Sequence, residues 1–533
     1  MQKLYVNGTI LTMEAENDTA EAVLIEGGYI RCAGSREEVL RAAAPDAQEI
    51  DLQGKTIMPA FIDGHSHITM AMQMSQAADL TECEDFDEMI RLLRAYKEEN
   101  GITSEGLISG FGYDHNFLPG GSHPVKKYLN QVSAEIPVYV SHVSGHMGCA
   151  NDAALKLAGI TRDTPDPEGG RIGRLENGEP DGYLEENAAI LLQRAIGARA
   201  SFDPVKALEK AQQLYLENGV TTVQDGASAA QTVELLKSMA QAGLLKVDVV
   251  SYPLVTDHAD RIFQENPEYA GKYCRRLKLG GYKVVLDGSP QGKSAWLSKP
   301  YENSQDYCGY PWFSDEQTEE FMRRALEDGR QILVHCNGDA ASEQYLNAWE
   351  KALQKSGRAD GKALRPVMIH CQTVREDQLD RMKTFGMIPS LFVGHVYYWG
   401  DVHLKNLGKE RAERISPSRS ALDRGLKVNF HQDTPVTKPN MLHTVWCAVN
   451  RITRGGRVLG EDQCCTVYEA LRAVTASAAY AYFEEDTKGT IRAGKAADLI
   501  ILDKNPMEVP KEEIRKIRVL ETIKDGETVM KRD

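Results

Sequence analysis

Residues 56–67 read TIMPAFIDGHSH, an apolar run that closes on two histidines, His65 and His67. Along an extended strand, positions i and i+2 face the same way, so both imidazoles could meet at one metal ion. Alone the pair decides little, because two ordinary histidines read the same. Further runs of strand character follow at residues 220–225 (VTTVQD), 246–252 (KVDVVSY), 277–287 (LKLGGYKVVLD) and 331–336 (QILVHC). The series ends with 366–371 (PVMIHC), 387–393 (MIPSLFV) and 427–433 (KVNFHQD). Helical stretches separate many of them, such as EQTEEFMRRALEDG before the fifth run and REDQLDRMKTFG after the sixth. Eight strands alternating with helices predict an α/β fold, a (β/α)8 TIM barrel.

The chemistry-bearing residues recur at the ends of these runs. His335 closes the fifth, His370 the sixth and Asp433 the eighth. In a barrel these ends form the C-terminal face, where active sites are built. Four histidines and a carboxylate there match a nitrogen and oxygen site for zinc or a similar divalent ion. Lys283 sits inside the apolar fourth run, where a charged ammonium must be paired, neutralised or modified. Carbamylation by carbon dioxide would make it a carboxylate able to bridge two cations; a neutral or salt-bridged lysine on the barrel wall is the alternative. Asp287 reads as a turn former. Cys336 and Cys371 follow ligand candidates, and alternation turns them away as small buried residues.

Both chain ends are rich in short strands with turn signals. Asn7-Gly8 predicts a hairpin, Gly27-Gly28 and Gly34 mark further turns, and Asp525-Gly526 predicts another hairpin near the C-terminus. Neither end holds enough apolar sequence for its own core, so residues 1–57 and 484–533 are expected to build one β-sandwich around a barrel at 58–483. The gap after the first strand, about residues 70–215, is too long for one crossover. It has strand candidates of its own, LISGFGYD and IPVYVSHV, and reads as an insertion over the barrel mouth.

The 533 residues are 42% hydrophobic and 26% charged, a soluble globular balance that excludes disordered and fibrous chains. A net charge of −15 leaves no basic footprint for nucleic acid or anionic lipid. No run reaches membrane-span length and the N-terminus lacks a signal-peptide pattern. Ten scattered cysteines then read as reduced thiols in a cytoplasmic protein.

PAFIDGHSH, the lysine strand ending in LDGS, HCNGDAAS, VMIHCQ, the Asp-Thr-Pro at residue 433 and KGTIRAGKAADLIILDKNP together resemble the amidohydrolase superfamily. More narrowly the chain resembles amidohydrolase family 3, the group of N-substituted formamide deformylases and exoenzyme regulatory proteins. The resemblance covers nearly the whole chain and implies a metal-dependent hydrolase of a non-peptide C–N bond in a small molecule, with a dimer as its assembly. It implies that His65 and His67 hold one zinc with Asp433 beside them, that His335 and His370 hold a second, and that carbamylated Lys283 bridges the pair. Asp433 would act as general base and then acid. His146 aligns with a histidine that the family presents to substrate, where it could stabilise an oxyanion. Tyr113 and His115, and His395 and Trp399 after the seventh strand, are candidates to line the substrate pocket. His123, His142, His258, His403 and His443 read as surface or structural.

Two features depart from the family pattern. Ile369 stands where a Glu often precedes the sixth-strand histidine, and His431-Gln432 replaces a small pair before Asp433, with His431 able to face the lumen one layer deeper. These put pocket shape and substrate preference in doubt, not the ligands. Among rivals, a deaminase would want Glu three residues after His335, where Gly338 stands. A cyclic amide or ester hydrolase fits every residue named. A non-catalytic interaction protein on the same scaffold would not need the full ligand set.

Overall fold

Gly280-Gly281 divides the run expected to be the fourth strand. Leu277–Leu279 lies at the edge of one parallel sheet and Gly281–Val285 at the edge of another. A Cβ at Gly280 would lie 2.5 Å from the Tyr252 ring, and one at Gly281 would lie 2.2 Å from the Gln331 carbonyl oxygen. Only glycine lets the backbone pass that close. The computed structural model describes residues 2–143, 147–167, 170–197, 199, 203–357 and 361–532. They form two units, one of Met1–Ile68, Gln212–Thr434 and Lys438–Asp533, the other of Thr69–Ala211 and Pro435–Thr437.

In the larger unit the first sheet runs Leu277–Leu279, Asp248–Pro253, Val220–Ser228, Phe61–Ile62, all parallel. The second runs Gly281–Val285, Gln331–Cys336, Val367–His370, Ile388–Leu391, Asn429–Phe430, again all parallel. An isolated parallel bridge, Leu254 to Lys283, joins them at one edge. At the other edge the strands Phe61–Ile62 and Asn429–Phe430 are two residues long, and among the described residues no ladder pairs them. Among the described residues the unit is mixed α/β, with two open parallel sheets and no closed barrel.

Helices alternate with these strands where the sequence supplies caps and an apolar stripe. Asp315–Glu327 starts at a capping box between Ser314 and Gln317 and buries Thr318, Met322, Ala325 and Leu326, the spacing of one helix face. Its neighbour Asp339–Ser356 ends on Gly357 in the left-handed conformation.

Strands from both chain ends meet in the same unit. Thr56–Pro59 pairs antiparallel with Leu499–Leu502, which continues into Val519–Lys524 and Glu527–Lys531. The run at 56–67 thus breaks at Ala60 and serves two sheets. Asp525-Gly526 turns the last hairpin, with Lys524 opposite Glu527. The Asn7-Gly8 hairpin is corrected: Gln2–Val6 pairs with Ala22–Glu26 and Gln48–Asp51, whereas Thr9–Leu11 pairs with Thr19–Ala20 and Thr56–Pro59. Asn7-Gly8 carries the chain from one sheet to the other, and a Cβ at Gly8 would sit 2.3 Å from the Lys55 carbonyl oxygen. Tyr5, Ile10, Val23, Ile57, Leu499 and Ile523 share one apolar core between these sheets.

The smaller unit has one mixed sheet in the order Gly170–Arg174, Pro180–Glu186, Met147–Ala150, Val138–His142, Ile108–Tyr113, Ala78–Asp79. Phe86–Glu99 covers it with Phe86, Met89, Ile90 and Leu93 buried. Among the described residues no helix is long and apolar enough to cross a membrane.

Candidate metal centre

The second parallel sheet delivers its polar residues at strand ends. In register, His335 pairs with Ile369 and Cys336 with His370, so the two imidazoles emerge from neighbouring strands and their rings lie 4.5 Å apart. His370 and Asp433 both take positive φ, 72° and 53°, at the points where the chain leaves Val367–His370 and the short strand Asn429–Phe430.

Asp433 is the hub. Its Oδ1 lies 3.2 Å from His67 Nε2 and 3.5 Å from His65 Nε2, and its Oδ2 lies 3.9 Å from His370 Nε2. Lys283 Nζ stands 3.2 Å from His65 Nε2. Donors about 2.0–2.2 Å from one ion at near-tetrahedral angles sit roughly 3.3–3.6 Å apart. The observed separations fall around that value, and His65, His370 and Asp433 offer atoms all within 4.8 Å of one another. His370 Nδ1, the nitrogen away from Asp433, is buried without a hydrogen-bond partner, a cost that bound solvent would relieve. The donor set fits a divalent ion, with nitrogen and oxygen ligands typical of zinc.

Partners outside the cluster fix the histidine tautomers. Gln224 Nε2 donates to Tyr482 Oη (2.9 Å), whose own proton goes to the Asp63 carbonyl (2.6 Å). The amide oxygen of Gln224 therefore faces His65 Nδ1 at 2.5 Å, so Nδ1 carries the proton and Nε2 presents a lone pair. Asp287 does the same for His335: its Oδ1 is 3.1 Å from His335 Nδ1. It also accepts from the backbone N–H groups of Trp296, Asn337 and Gly338, so one buried carboxylate shapes the loop and aims the ring. Neither Gln224 nor the orienting role of Asp287 follows from the sequence reading; a polar residue in the run VTTVQD was the only available signal for Gln224.

Burial sets the charge states. It pushes His65 and His370 well below the ordinary imidazole range, and the Lys283 ammonium beside His65 acts in the same direction there. Lys283 is 1% exposed, and burial lowers its ammonium to about 8. Burial alone would raise Asp433, but the hydrogen bond with His67 and the surrounding His370 and His65 imidazoles hold it well below the carboxylate range. Neutral imidazoles beside an ionised carboxylate are the protonation pattern of a ligand set.

His395 and Trp399 lie beside this cluster on the helix His395–Leu407. The His395 ring is 5.9 Å from that of His370 and 4.3 Å from Phe392, and Trp399 is 5.4 Å from His395. His431 is fully buried, its ring 5.3 Å from His65 and 5.1 Å from His370, and burial lowers it to about 3. Cys336 and Cys371 are completely buried with thiols pushed up by desolvation. Tyr113 and His115 belong to the smaller unit. Tyr113 is fully buried in its core, with its hydroxyl 3.0 Å from His123 Nδ1. His146 lies outside the described residues.

A family model described as "Amidohydrolase family" matches residues 48–530. N-substituted formamide deformylase from Arthrobacter pascens is 30% identical over 98% of this chain and 97% of its own length. Putative amidohydrolase YtcJ from Bacillus subtilis (strain 168) is 27% identical over 99% of both chains. Among solved structures, an uncharacterized metal-dependent hydrolase from Pyrococcus furiosus superposes with a TM-score of 0.74 at 25% identity, covering 95% of this chain and 100% of that one.

Proposed function

This chain belongs to the amidohydrolase family, in the branch called amidohydrolase family 3, and from that premise we propose that it hydrolyses a non-peptide C–N bond, an N-formyl or N-acyl amine. The observation that carries the proposal is the convergence of His65, His67, Lys283 and His370 on Asp433 at ligand spacing, with His335 beside His370. The similarity to a formamide deformylase along the full chain supports the choice of bond. The strand order of the two parallel sheets supports reading them as parts of one eight-stranded barrel.

His65 and His67 would hold one zinc and His335 and His370 a second, with Lys283 as a carbamate between them. The neutral Lys283 amine favoured by burial is the form that adds carbon dioxide, forming an N–C bond and releasing a proton. When bound, such ions acidify water and polarise a carbonyl. Asp433 takes a proton from the water that attacks the scissile carbonyl carbon. It then gives that proton to the departing amine nitrogen as the C–N bond breaks. Gln224 and Asp287 keep Nε2 of His65 and His335 unprotonated throughout.

The test is a panel of N-formyl and N-acyl amines offered to zinc-loaded protein, with formate or carboxylate release as the readout. Wild type should turn over at least one class, and Asp433→Asn should lose that turnover while keeping its metal. Cleavage of esters with no amide hydrolysed would overturn the C–N assignment.

A further inference from the structure

The smaller unit assembles a donor set of its own. Its strands Ile108–Tyr113 and Val138–His142 run parallel, with Tyr113 opposite His142 at their C-terminal ends. Asp114 and His115 follow directly in the chain, so three potential ligands leave two adjacent strands at one level. We propose that Asp114, His115 and His142 form a separate divalent-metal site, of the nitrogen and oxygen type that takes zinc or a neighbouring first-row ion.

The geometry carries this reading. His115 Nδ1 lies 3.0 Å from His142 Nε2, and each lies 3.7 Å from Asp114 Oδ1. That triangle brackets the roughly 3.3–3.6 Å spacing of donors sharing one ion at 2.0–2.2 Å. Both rings turn a nitrogen toward the same point beside the same carboxylate. Each piece is held from outside: the Asn116 backbone N–H (2.9 Å) and side-chain amide (2.8 Å) both donate to Asp114 Oδ1. His123 stacks on His115 with centroids 4.5 Å apart and is itself tied to the Tyr113 hydroxyl. Asp114 and His142 are each 5% exposed, whereas the His115 side chain is 29% exposed. Solvent therefore reaches the cluster past His115, and water takes the remaining coordination position. An ion here ties the two strand ends together.

Zinc alone is the probe. Crystals of the full chain grown with zinc should show anomalous scattering at the zinc edge between these three side chains. In equilibrium dialysis His115→Ala and Asp114→Asn should each bind one zinc fewer per chain than wild type, whereas His65→Ala should lose zinc and keep this ion. His115 is the most accessible ligand, so its replacement leaves the fold testable even if a His142 variant does not fold. Equal zinc counts in wild type and both variants, or anomalous density in the larger unit only, would overturn the proposal. Because the readout is position and stoichiometry, its failure is distinct from failure of the hydrolase reading.

Discussion

Asp287→Asn separates the orienting of a ligand from its mere presence. Asp287 is 0% exposed and accepts at both oxygens: Oδ1 from His335 Nδ1 (3.1 Å) and Asn337 N–H (3.0 Å), Oδ2 from Trp296 N–H (3.0 Å) and Gly338 N–H (2.7 Å). An asparagine fits the space but has one accepting oxygen, so two of those contacts are lost in either orientation. Leaving a buried donor unsatisfied costs about 1–3 kcal/mol, so the variant loses about 2–6 kcal/mol. If the oxygen stays on the Trp296 side, the new NH2 faces His335 Nδ1. The ring must then accept there, move its proton to Nε2 and give up the lone pair it offers an ion. If the oxygen stays with His335, the loop through Trp296 and Gly338 loosens instead. The first orientation should lower metal affinity about 10–100-fold, as is usual when a ligand's outer partner is removed, and the second should lower it through the loosened loop that carries Asn337 and Gly338 beside His335. The assay is chelator competition on purified protein, with residual metal and hydrolysis read together. Wild-type metal retention and activity in Asp287→Asn would refute the claim that this carboxylate sets His335.

Asp433→Asn should cut turnover by about 10²–10⁴, the range for loss of a general base, with metal content largely unchanged; full activity would remove Asp433 from proton transfer. Gln224→Leu should weaken metal binding about 10–100-fold, because His65 Nδ1 loses its acceptor, while Gln224→Glu should retain binding; equal affinity in wild type and Gln224→Leu would refute the tautomer argument. His403 is fully buried and held down to about 3 by desolvation, so the unfolded chain binds a proton that the folded chain refuses between that value and the ordinary imidazole pKa of about 6.5. Stability should therefore fall as pH drops through that window, by about 1.4 kcal/mol per pH unit for this group. Denaturant unfolding of the metal-free protein at pH 6 and pH 4.5 should show a shallower loss in His403→Gln, and an unchanged slope would argue against the buried neutral ring.

What could be read from the sequence was set by strand periodicity. An apolar run ending in a polar metal-ligand residue is visible in one dimension, and His65, His67, Lys283, His370 and Asp433 do lie together in space. The break at Gly280-Gly281 was not visible, because it depends on how close the Tyr252 ring and the Gln331 carbonyl come to that backbone. Asn7-Gly8 looked like a hairpin because local turn chemistry cannot say which sheet each flanking strand joins. Gln224 and Asp287 were missed as orienting groups for the same reason: their partners are 159 and 48 residues away. His142 read as structural, and only the parallel register with Ile108–Tyr113 brings it to Asp114 and His115.

The backbone at the larger cluster shows where the fold gives up local stability for geometry. His370, Cys371 and Asp433 all have positive φ, between 46° and 72°. Residues with a Cβ avoid that region, at a cost of about 1–2 kcal/mol each. A strand that continued in extended conformation would alternate its side chains between faces, and successive polar groups would diverge. Turning sharply at the last residue lets His370 and Asp433 bring Nε2 and Oδ2 within 3.9 Å of each other. At this cluster the left-handed conformation falls on the candidate ligands His370 and Asp433 and on the adjoining Cys371. The surrounding sheet, with Val367, Met368 and Ile388 buried on neighbouring strands, supplies the packing that holds the turn in place. Glycine at either position would relieve the backbone and remove the donor, so a strained histidine and a strained aspartate are the physical requirement of the site rather than an accident of the loop.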